Sequence, residues 1–364
     1  MGNVPELRFP EFSGEWEEVK LGDITTFFDS RRIPLKESER VAGEYPYYGA
    51  SGIIDYVNDY IFDGEYILLG EDGANIIMRN SRLVFLAKGK FWVNNHAHIF
   101  QTNGSNYFLC EALERINFLK YNTGTAQPKL NADIVKKIKI YLPPLPEQQK
   151  IADFLTAIDE KITILTDKIT QLKTYKRGMM QKLLSGELRF PGFKDAWREV
   201  RLGEIADITT GKSNREDSTE NDGKYTFFDR SEDIRTSSQY LFDGEAVIVA
   251  GEGQRFYPKY FIGKFDLHQR TYAIMNFNNT QGKYIFYYLN QFGNRYFLSQ
   301  AVGTTVKSLR LPMFQKMSIK LSSLLEQQKI ADFLTTIDDK LTIEQEKLDQ
   351  LKSYKQGLLQ KMFV

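Results

Sequence analysis

The stretch EQQKIADFLTAIDEKITILTDKITQLKTYKRGMMQKLL, residues 147–184, decides the fold, because the chain repeats it as EQQKIADFLTTIDDKLTIEQEKLDQLKSYKQGLLQKMF over residues 326–363. Of the 38 aligned positions, 24 are identical. Apolar residues recur at spacings of four and three along both copies, which is the heptad pattern of a helix that packs on a partner helix. Each helix can reach roughly 57 Å at ~1.5 Å per residue. We therefore predict two long helices that pair with each other.

Charged residues interrupt the apolar seam at Lys176 in the first copy and at Glu344 and Lys355 in the second. The alternative interpretation is that the copies are ordinary surface helices packed on separate cores. Pairing is favoured because two similar seams in one chain offer each other matching side chains at high effective concentration.

The repeat extends beyond the helices, with a period near 180 residues. The matched phrases are LRFPEFSGEWEEVKLGDI from Leu7 with LRFPGFKDAWREVRLGEI from Leu188, FDGEYILLGEDG from Phe62 with FDGEAVIVAGEG from Phe242, and GTAQPKL from Gly124 with GTTVKSL from Gly303. A tandem duplication follows. We predict a first domain over 1–146, a long helix over 147–184, a second domain over 185–325 and a second long helix over 326–364.

Chain connectivity predicts how the helices run. The second domain begins at the C-terminal end of the first helix and finishes at the N-terminal end of the second. Parallel helices would force this domain to stretch over the whole ~57 Å, whereas antiparallel helices bring its ends together. The predicted fold is α+β: two mixed α/β domains joined by two long helices in an antiparallel coiled coil, with internal pseudo-twofold symmetry.

Composition describes an ordinary globular chain of 364 residues with 42% hydrophobic content. No apolar run approaches the ~18 residues of a membrane span, and the first residues do not have the features of a signal peptide. We therefore expect a cytoplasmic protein that does not contact a membrane. The single cysteine, Cys110, excludes an internal disulfide, and its setting predicts a buried structural role.

Charge is distributed unevenly although the net charge is only +1. Residues 1–69 carry a net charge of −8 and residues 70–146 carry +5; residues 201–250 carry −5 and residues 251–325 carry +8. Each half therefore has an acidic front and a basic back. This pattern is typical of domains that meet a polyanion through one part of their surface, and a solvated charged face is the alternative.

Catalytic motifs are weak. The phosphate-loop ending Gly211–Ser213 lacks the glycine that the motif requires at the position of Ala206. His96 and His98 face one side of a predicted strand, but no further ligand cluster supports a metal there. Glu18–Lys20 matches half of a nuclease motif that the repeat does not keep. We predict a non-catalytic chain without a cofactor or a metal.

The basic back halves instead mix side chains suited to phosphates with side chains able to read base edges. Any one of them alone is equally consistent with a solubilising surface residue, but they cluster in both domains. The candidate DNA-binding residues are Arg79, Arg82, Lys88, Lys90, Asn94, Asn95, His96, Gln127 and Lys129 in the first domain, and Arg255, Lys259, Lys264, His268, Gln269, Arg270, Lys307 and Arg310 in the second.

The phrases LPPLPEQQKIADFL, QKLLSGELRF, YPYYGASGIIDY, FDGEYILLGEDGA and GTAQPKLNADIVKKIKI closely resemble the specificity subunit of type I restriction-modification systems, over essentially the whole chain. The resemblance implies two target-recognition domains that each read one half of a split, asymmetric DNA site. It implies paired helices that act as a spacer and as the docking surface for methyltransferase subunits. The second domain departs from the pattern, with Val306–Ser308 where the first has Gln127–Lys129.

The same resemblance implies the partners. A restriction subunit would supply ATP-driven translocation and cleavage, and a modification subunit would supply adenine methylation with S-adenosylmethionine, so this chain would supply neither. Repeated groups on the outer helix faces predict two bound methyltransferase subunits, unless these groups pack under the domains. The candidate partner-binding residues are Phe154, Tyr175, Met180, Phe333, Tyr354 and Leu359.

Two other functions remain open from the sequence. One is a non-enzymatic adaptor whose coiled coil joins protein partners while its basic patches are incidental. The other is a nuclease acting alone through Glu18 and Lys20. Binding of a gapped duplex consensus in a salt-sensitive manner would favour DNA recognition, and metal-dependent cleavage by the isolated chain would favour the nuclease.

Overall fold

A computed structural model of the chain describes residues 3–124, 127–217, 223–231 and 233–364. The chain divides into two compact units. The first unit comprises Met1–Leu165 and Lys347–Val364, and the second comprises Thr166–Glu346. Since both boundaries fall inside the long helices, each unit contains a globular domain and one end of each long helix. Thr125 and Ala126 of the GTAQPKL phrase lie outside the described residues.

The first unit is a mixed domain of short helices and strands. Among its described residues the strands are β1 (Glu17–Lys20), β2 (Thr25–Phe27), β3 (Ala42–Gly49), β4 (Gly52–Val57), β5 (Phe62–Gly70), β6 (Val84–Val93), β7 (Ala97–Thr102) and β8 (Lys139–Leu142). The helices are α1 (Leu21–Ile24), α2 (Asn75–Met78), α3 (Asn106–Glu114), α4 (Ala132–Val135) and the long helix α5 (Leu145–Ser185). Helix α5 belongs to this unit from its start to Leu165.

The main sheet of the first unit has the order β2-β7-β5-β6-β3-β4 in the described part of the chain, and β1 pairs with β8 apart from it. Strand β5 lies inside the sheet and is buried on both faces. Ile67 and Leu69 pack in one apolar cluster with Cys110 of α3, whereas Tyr66 and Leu68 pack in another. Alternation along the strand explains the two faces, and the burial of Cys110 confirms the prediction.

The second unit repeats this plan. Among its described residues the strands are β9 (Arg198–Arg201), β10 (Asp207–Thr210), β11 (Tyr225–Phe228), β12 (Arg235–Ser237), β13 (Phe242–Ala250), β14 (Glu252–Gly253), β15 (Lys259–Leu267), β16 (Thr271–Met275), β17 (Lys307–Ser308) and β18 (Ser318–Leu321). The helices are α6 (Leu202–Ile205), α7 (Gly282–Tyr288), α8 (Asn294–Gln300), α9 (Leu311–Gln315) and the long helix α10 (Leu324–Lys361). The main sheet has the order β10-β16-β13-β15-β11-β12, strand for strand that of the first unit.

Within each unit the two long helices run antiparallel. In the second unit Lys168 Nζ lies 2.9 Å from Glu344 Oε1, and Lys176 Nζ lies 2.5 Å from Asp338 Oδ1. Residue numbers therefore increase along α5 where they decrease along the adjacent part of α10, as antiparallel helices require. These contacts confirm the predicted pairing of the helices, and they explain the charges at Lys176 and Glu344 that interrupt the apolar seam. The sheets and short helices of the two units confirm the mixed α/β fold class.

An equivalent polar contact occurs in the first unit. Lys355 Nζ lies 2.6 Å from Asp159 Oδ1, and the hydroxyl of Tyr107 donates to Asp159 Oδ2 at 2.5 Å. In the second unit the hydroxyl of Tyr287 donates to Asp338 at 2.7 Å. Each of these polar triads joins a lysine of one long helix, an aspartate of the other and a tyrosine of the domain. The triads therefore fix both the helix register and the seating of each domain.

The glutamate of the repeated Glu-Gln-Gln motif binds an arginine from the first residues of each domain. Glu147 is fully buried and accepts two hydrogen bonds of 2.7 Å from the guanidinium of Arg8. Glu326 is equally buried and accepts bonds of 2.9 and 2.7 Å from Arg189. Such bidentate pairs are short, directional and stronger than neutral hydrogen bonds.

The glutamine that follows joins each long helix to its domain. The side chain of Gln148 donates to the carbonyl of Pro143 at 2.8 Å and accepts from the backbone N–H of Ser105 at 3.3 Å. Gln327 repeats both bonds with Ser322, at 2.9 Å, and Gln281, at 3.1 Å. The repeated sequence motif is thus explained by three chain segments that meet at the start of each long helix.

We expect Glu147→Ala to lower the free energy of unfolding of the first unit by about 2 kcal/mol, because it leaves a hydrogen-bonded cation without its acceptor. Hydrogen exchange of the full chain should show lost protection in α3 and the start of α5, with the second unit unchanged. Glu160→Ala, an exposed change on the same helix, serves as the control and should stay within about 0.5 kcal/mol. Equal effects of the two substitutions would contradict the role given to Glu147.

Candidate nucleic-acid interface

Three loops meet at one end of the sheet in the first unit, and we name them the edge loops. They are the turn Glu71–Gly73 after β5, the loop Asn94–His96 between β6 and β7, and the segment Gln127–Lys129. The backbone N–H of Glu71 donates to the carbonyl of His96 at 2.8 Å, and that of Gly73 donates to Pro128 at 3.1 Å. The backbone therefore ties the three loops into one surface.

The second unit has edge loops of the same backbone geometry, formed by Glu252–Gly253, His268–Arg270 and Lys307–Ser308. The N–H of Gly251 donates to the carbonyl of Arg270 at 2.8 Å, as the N–H of Glu71 does to His96. Strands β14 and β17 pair with each other where the first unit has an isolated bridge between Asp72 and Lys129.

The side chains on this common backbone differ between the units. His96 is half exposed and its Nδ1 lies 2.9 Å from the carboxylate of Asp72, while Arg270 is 62% exposed and is paired with Glu252. Because the backbone contacts of the two loops match, each pair holds an exposed nitrogen side chain by a carboxylate on the neighbouring turn. A side chain held in this way has fewer rotamers to lose on binding a ligand.

The inner end of each loop is also braced at equivalent points by different residues. The N–H of His96 donates to Asn94 Oδ1 at 2.8 Å, and the N–H of Arg270 donates to His268 Nδ1 at 3.1 Å. Burial lowers the pKa of His268, which favours the neutral imidazole that can accept this bond. A buried amide and a neutral histidine thus perform the same task.

Charges under the edge loops of the first unit are paired. Glu71 accepts from Arg32 Nη1 at 2.7 Å and lies 3.3 Å from Lys129 Nζ. Burial opposes the ionisation of Glu71, but the bond from Arg32, the charge of His98 and the bond from Lys129 outweigh it and hold its pKa below the usual value. Sequence reasoning did not include Arg32, because its partners lie far along the chain.

In the second unit two adjoining open cavities lie beside the edge loops, and Asp229, Arg230 and Glu252 line both of them. Arg270 lines one of the two. Arg255, which the sequence indicated, lines the other and is exposed. Arg230 was missed because it follows β11 and is distant in sequence from the basic back half of the domain.

Arg79 and Arg82 lie away from the edge loops and contact helix α3. Arg79 Nη2 is 2.7 Å from Glu114 Oε1, and Arg82 Nη1 is 2.8 Å from Glu111 Oε1. Burial alone would lower the pKa of Arg82, but Glu111, Cys110 and Glu114 raise it above its usual value. The structure therefore gives both arginines scaffold partners that connect the start of β6 to α3.

Lys88, Lys90 and Lys264 also lie away from the edge loops, on β6 and β15. Lys88 Nζ lies 2.8 Å from Glu65 Oε2. Lys90 Nζ lies 4.6 Å from the ring centroid of Tyr60, and Lys264 Nζ lies 4.6 Å from that of Tyr240. Lys90 is opposite Asp63 at the start of β5, whereas the edge loops follow the end of that strand.

The remaining indicated residues lie on or beside the edge loops. Gln269 donates to Asn214 at 2.6 Å, and Lys259 donates to the carbonyl of Ser231 at 2.6 Å. The others that are exposed are Asn95, Gln127 and Arg310; Lys307 is partly buried. The structure thus brings one part of the indicated set together and leaves Arg79, Arg82, Lys88, Lys90 and Lys264 outside it.

The six candidate partner-binding residues of the long helices do not share one environment. Tyr175 and Tyr354 are 51% and 55% exposed. Met180 is buried in the core of the second unit, so its side chain cannot be part of a surface that binds a partner. Phe154 and Phe333 contact Phe9 and Phe190, each pair with ring centroids 5.6 Å apart, and Leu359 is partly buried against the first unit.

In the described ranges, no group of three or more His, Cys, Asp or Glu side chains is arranged to hold a metal ion. The two histidines considered in the sequence have separate partners, since His96 meets Asp72 and His98 meets Asp29. Glu18, on β1, is paired with Lys139 at 2.6 Å.

A search of the helices in the described part of the chain finds none that is both long enough and apolar enough to cross a membrane.

Two domains of one topology, each with edge loops of matched backbone and different side chains and each followed by a long helix, define a protein with an internally duplicated α/β architecture. The chain belongs to the family described as "Type I restriction modification DNA specificity domain", which matches residues 13–174 and 194–353.

Individual relatives agree with this membership. The type I restriction enzyme MjaVIII specificity subunit of Methanocaldococcus jannaschii is 27% identical over 97% of this chain and 92% of its own length. A putative type I restriction enzyme specificity subunit of Haemophilus influenzae is 38% identical, but over only 40% of this chain and 37% of its own length. The crystal structure of a type I restriction-modification S subunit from M. genitalium shares the fold, with a TM-score of 0.71 and 17% identity over 99% of both chains.

We expect Arg82→Ala to destabilise the first unit by about 1 kcal/mol, because Glu111 then loses its nearest cation; the partial exposure of Arg82 keeps the effect small. Urea unfolding followed by hydrogen exchange in α3 measures it. Lys120→Ala, an exposed change in the same unit, is the matched control. Unchanged protection of α3 in the Arg82 variant would contradict the scaffold role.

Proposed function

We propose that this chain is the non-catalytic DNA-recognition subunit of a type I restriction-modification complex and that each unit reads one half of a split, asymmetric site in duplex DNA. The observation that carries the proposal is that both units have a set of edge loops at the same place in the fold. Their backbones make the same contacts in both units, while the exposed side chains differ. A protein that reads two different half-sites needs this combination of a common frame and variable readers.

The side-chain chemistry of the edge loops fits the major groove. Arginine reads guanine through two parallel hydrogen bonds, and asparagine or glutamine reads adenine in the same manner. Asn95 in the first unit stands where Gln269 stands in the second, and His96 stands where Arg270 stands. The carboxylates of Asp72 and Glu252 orient these last two side chains and disfavour a phosphate at the same point.

Phosphate contacts would come from cations beside the edge loops. In the second unit Arg255 and Arg310 are exposed and Lys307 is partly buried. Such contacts add affinity for all sequences and make binding salt-dependent. Arg255 and Arg310 are therefore assigned to positioning the duplex, and Arg270 to choosing the sequence.

Methylation and ATP-dependent cleavage would reside in modification and restriction subunits that join this chain in the cytoplasm. The long helices support two modification subunits because exposed residues occur at equivalent points of the repeat. Tyr175 and Tyr354 are one such pair, and Ile164 and Ile343, 65% and 49% exposed, are another. Two equal surfaces of this kind would bind two equal partners.

Arg270→Ala should change the selected consensus at one half-site only, and His96→Ala should change it at the other. A lost bidentate contact costs about 1–3 kcal/mol of discrimination against the wrong base. Selection from a random duplex library with the modification subunit present, at two salt concentrations, measures both consensus and affinity. Lys316→Ala, an exposed change in the second unit, is the control. Absence of any gapped consensus, or a change in both half-sites from one substitution, would refute the proposal.

Tyr354→Ala should reduce the modification subunits bound per chain from two to one, and the double change with Tyr175→Ala should remove both. The loss of an exposed aromatic anchor at each surface is the physical reason. Native mass spectrometry at saturating partner counts the subunits. Exposed Lys352→Ala on the same helix is the control. Two subunits on the double variant would exclude these tyrosines as the docking surface.

A further inference from the structure

We propose that Ile77 in the first unit and Tyr257 in the second each contact the C5-methyl group of a thymine in the half-site that their unit reads. The inference rests on the proposed function, because it adds an apolar base contact to the polar ones of the edge loops. Both side chains closely follow the first edge loop of their unit, and each is 52% exposed. We name these two residues the apolar tips.

The two tips occupy the same position of the duplication. Each stands four residues after the glycine that ends the first edge loop, Gly73 or Gly253, and each directly follows a buried apolar residue, Ile76 or Phe256, that packs in the core of its unit. Single exposed apolar residues are common on protein surfaces. An exposed apolar residue at the same place in both units, of a different type in each, indicates a position that both units use for one purpose.

In the first unit the tip lies on a short helical turn, α2, that is held at both ends. Asn75 Nδ2 donates to the carbonyl of Ser81 at 3.1 Å, and Arg79 Nη2 donates to the carbonyl of Glu114 at 2.7 Å. The φ of Arg79 is +50°, a left-handed conformation that a non-glycine residue keeps only where its surroundings hold it. Ile77 therefore stays at the surface while its buried neighbour faces the core.

In the second unit different contacts hold the tip. The N–H of Phe256, directly before it, donates to Asn294 Oδ1 at 2.8 Å. Pro258, directly after it, is buried, and a proline restricts the residue before it to extended conformations. Tyr257 is thereby presented from a fixed backbone. A side chain on a fixed backbone leaves less conformational freedom to be lost on binding.

The tips belong to the same surface as the edge loops. In the first unit the N–H of Gly73 donates to the carbonyl of Pro128 at 3.1 Å, within the third edge loop. In the second unit Gln254 Nε2 donates to the carbonyl of Thr305 at 2.9 Å, just before the third edge loop. Tyr257 also lines one of the two cavities beside these loops. Each segment that carries a tip is therefore bonded to the surface proposed to read DNA.

The chemistry of the tips selects their contact. The major groove presents one apolar group, the C5-methyl of thymine, and otherwise hydrogen-bond donors and acceptors. Ile77 has no side-chain atom that forms hydrogen bonds, so against any other base edge it would remove water from a polar group without replacing it. The ring face of Tyr257 is likewise apolar. The tips therefore add selection for thymine beside the bases that the edge loops read.

The experiment uses the full chain with the modification subunit and the duplex that it selects. Each thymine of a half-site is replaced in turn by uracil, which removes the methyl group and leaves the hydrogen-bonding groups of the base in place. Competition against the unchanged duplex at fixed salt gives the loss of affinity. We expect one thymine in each half-site whose replacement weakens binding by about threefold to fivefold, since this is the contribution of one buried methyl group.

Variants connect each sensitive thymine to its tip. In Ile77→Ala the uracil penalty should vanish at the first half-site and stay at the second, and Tyr257→Ala should give the reverse. Tyr257→Phe keeps the ring and should keep the penalty. Val41→Ala and Ile262→Ala remove exposed apolar side chains elsewhere in the two units and should change neither penalty. The half-site read by the unaltered unit reports in each case that the chain is folded.

The outcomes are distinct. A half-site without a uracil-sensitive thymine, or a penalty that persists in the alanine variant of its tip, overturns the inference and leaves the proposed function standing. An alanine variant that binds fewer modification subunits in native mass spectrometry, with the uracil penalty unchanged, assigns the tip to a protein partner and also overturns it. Failure of the unaltered chain to select any gapped duplex overturns the proposed function, and the inference falls with it.

Discussion

A lysine of one long helix placed against an aspartate of the other is the interaction on which the rest of this structure depends. A seam of apolar heptads alone allows two helices to slide by one heptad at small loss, but a lysine that has moved past its aspartate is left in an apolar groove without a partner. The triads at Asp159 and Asp338 therefore set one register. Because a tyrosine from the domain binds the same carboxylate, the register also fixes where each domain sits on the helices.

The tyrosines of the two triads come from different positions of the repeat. Ser105 and Gln281 make the same bond to the long helix, yet Tyr107 follows Ser105 by two residues and Tyr287 follows Gln281 by six. The difference is about one helical turn. The tyrosine–aspartate contact is thus present in both units, although the tyrosine comes from a different position of the repeat. Asn94 and His268 likewise brace equivalent loops with different side chains. In both places the constraint acts on the position of a hydrogen-bonding atom and not on the residue type.

Much of the fold could be predicted because its signals are local. Heptad spacing, internal repetition and chain connectivity together indicated the long helices, their direction and the duplicated domains. The site was harder because its pairs join distant residues: 29 positions separate Arg82 from Glu111, and 39 separate Arg32 from Glu71. The sequence does not reveal whether a basic residue forms an ion pair with a carboxylate in the fold. Arg82 thus entered the candidate set and Arg32 did not, although only Arg32 lies under the edge loops.

The first unit is assembled from the two ends of the described chain, and the second from one continuous stretch. During synthesis, all of Thr166–Glu346 must emerge before Leu358 and Met362 are available to cover Ile151 and Leu155. At 5–20 residues per second the delay is roughly 10 to 35 s. The domain translated first is therefore completed last, and its half of the helix seam stays open to chaperones or to another nascent chain in the meantime. Translation speed through the second domain thus sets how long the first is vulnerable.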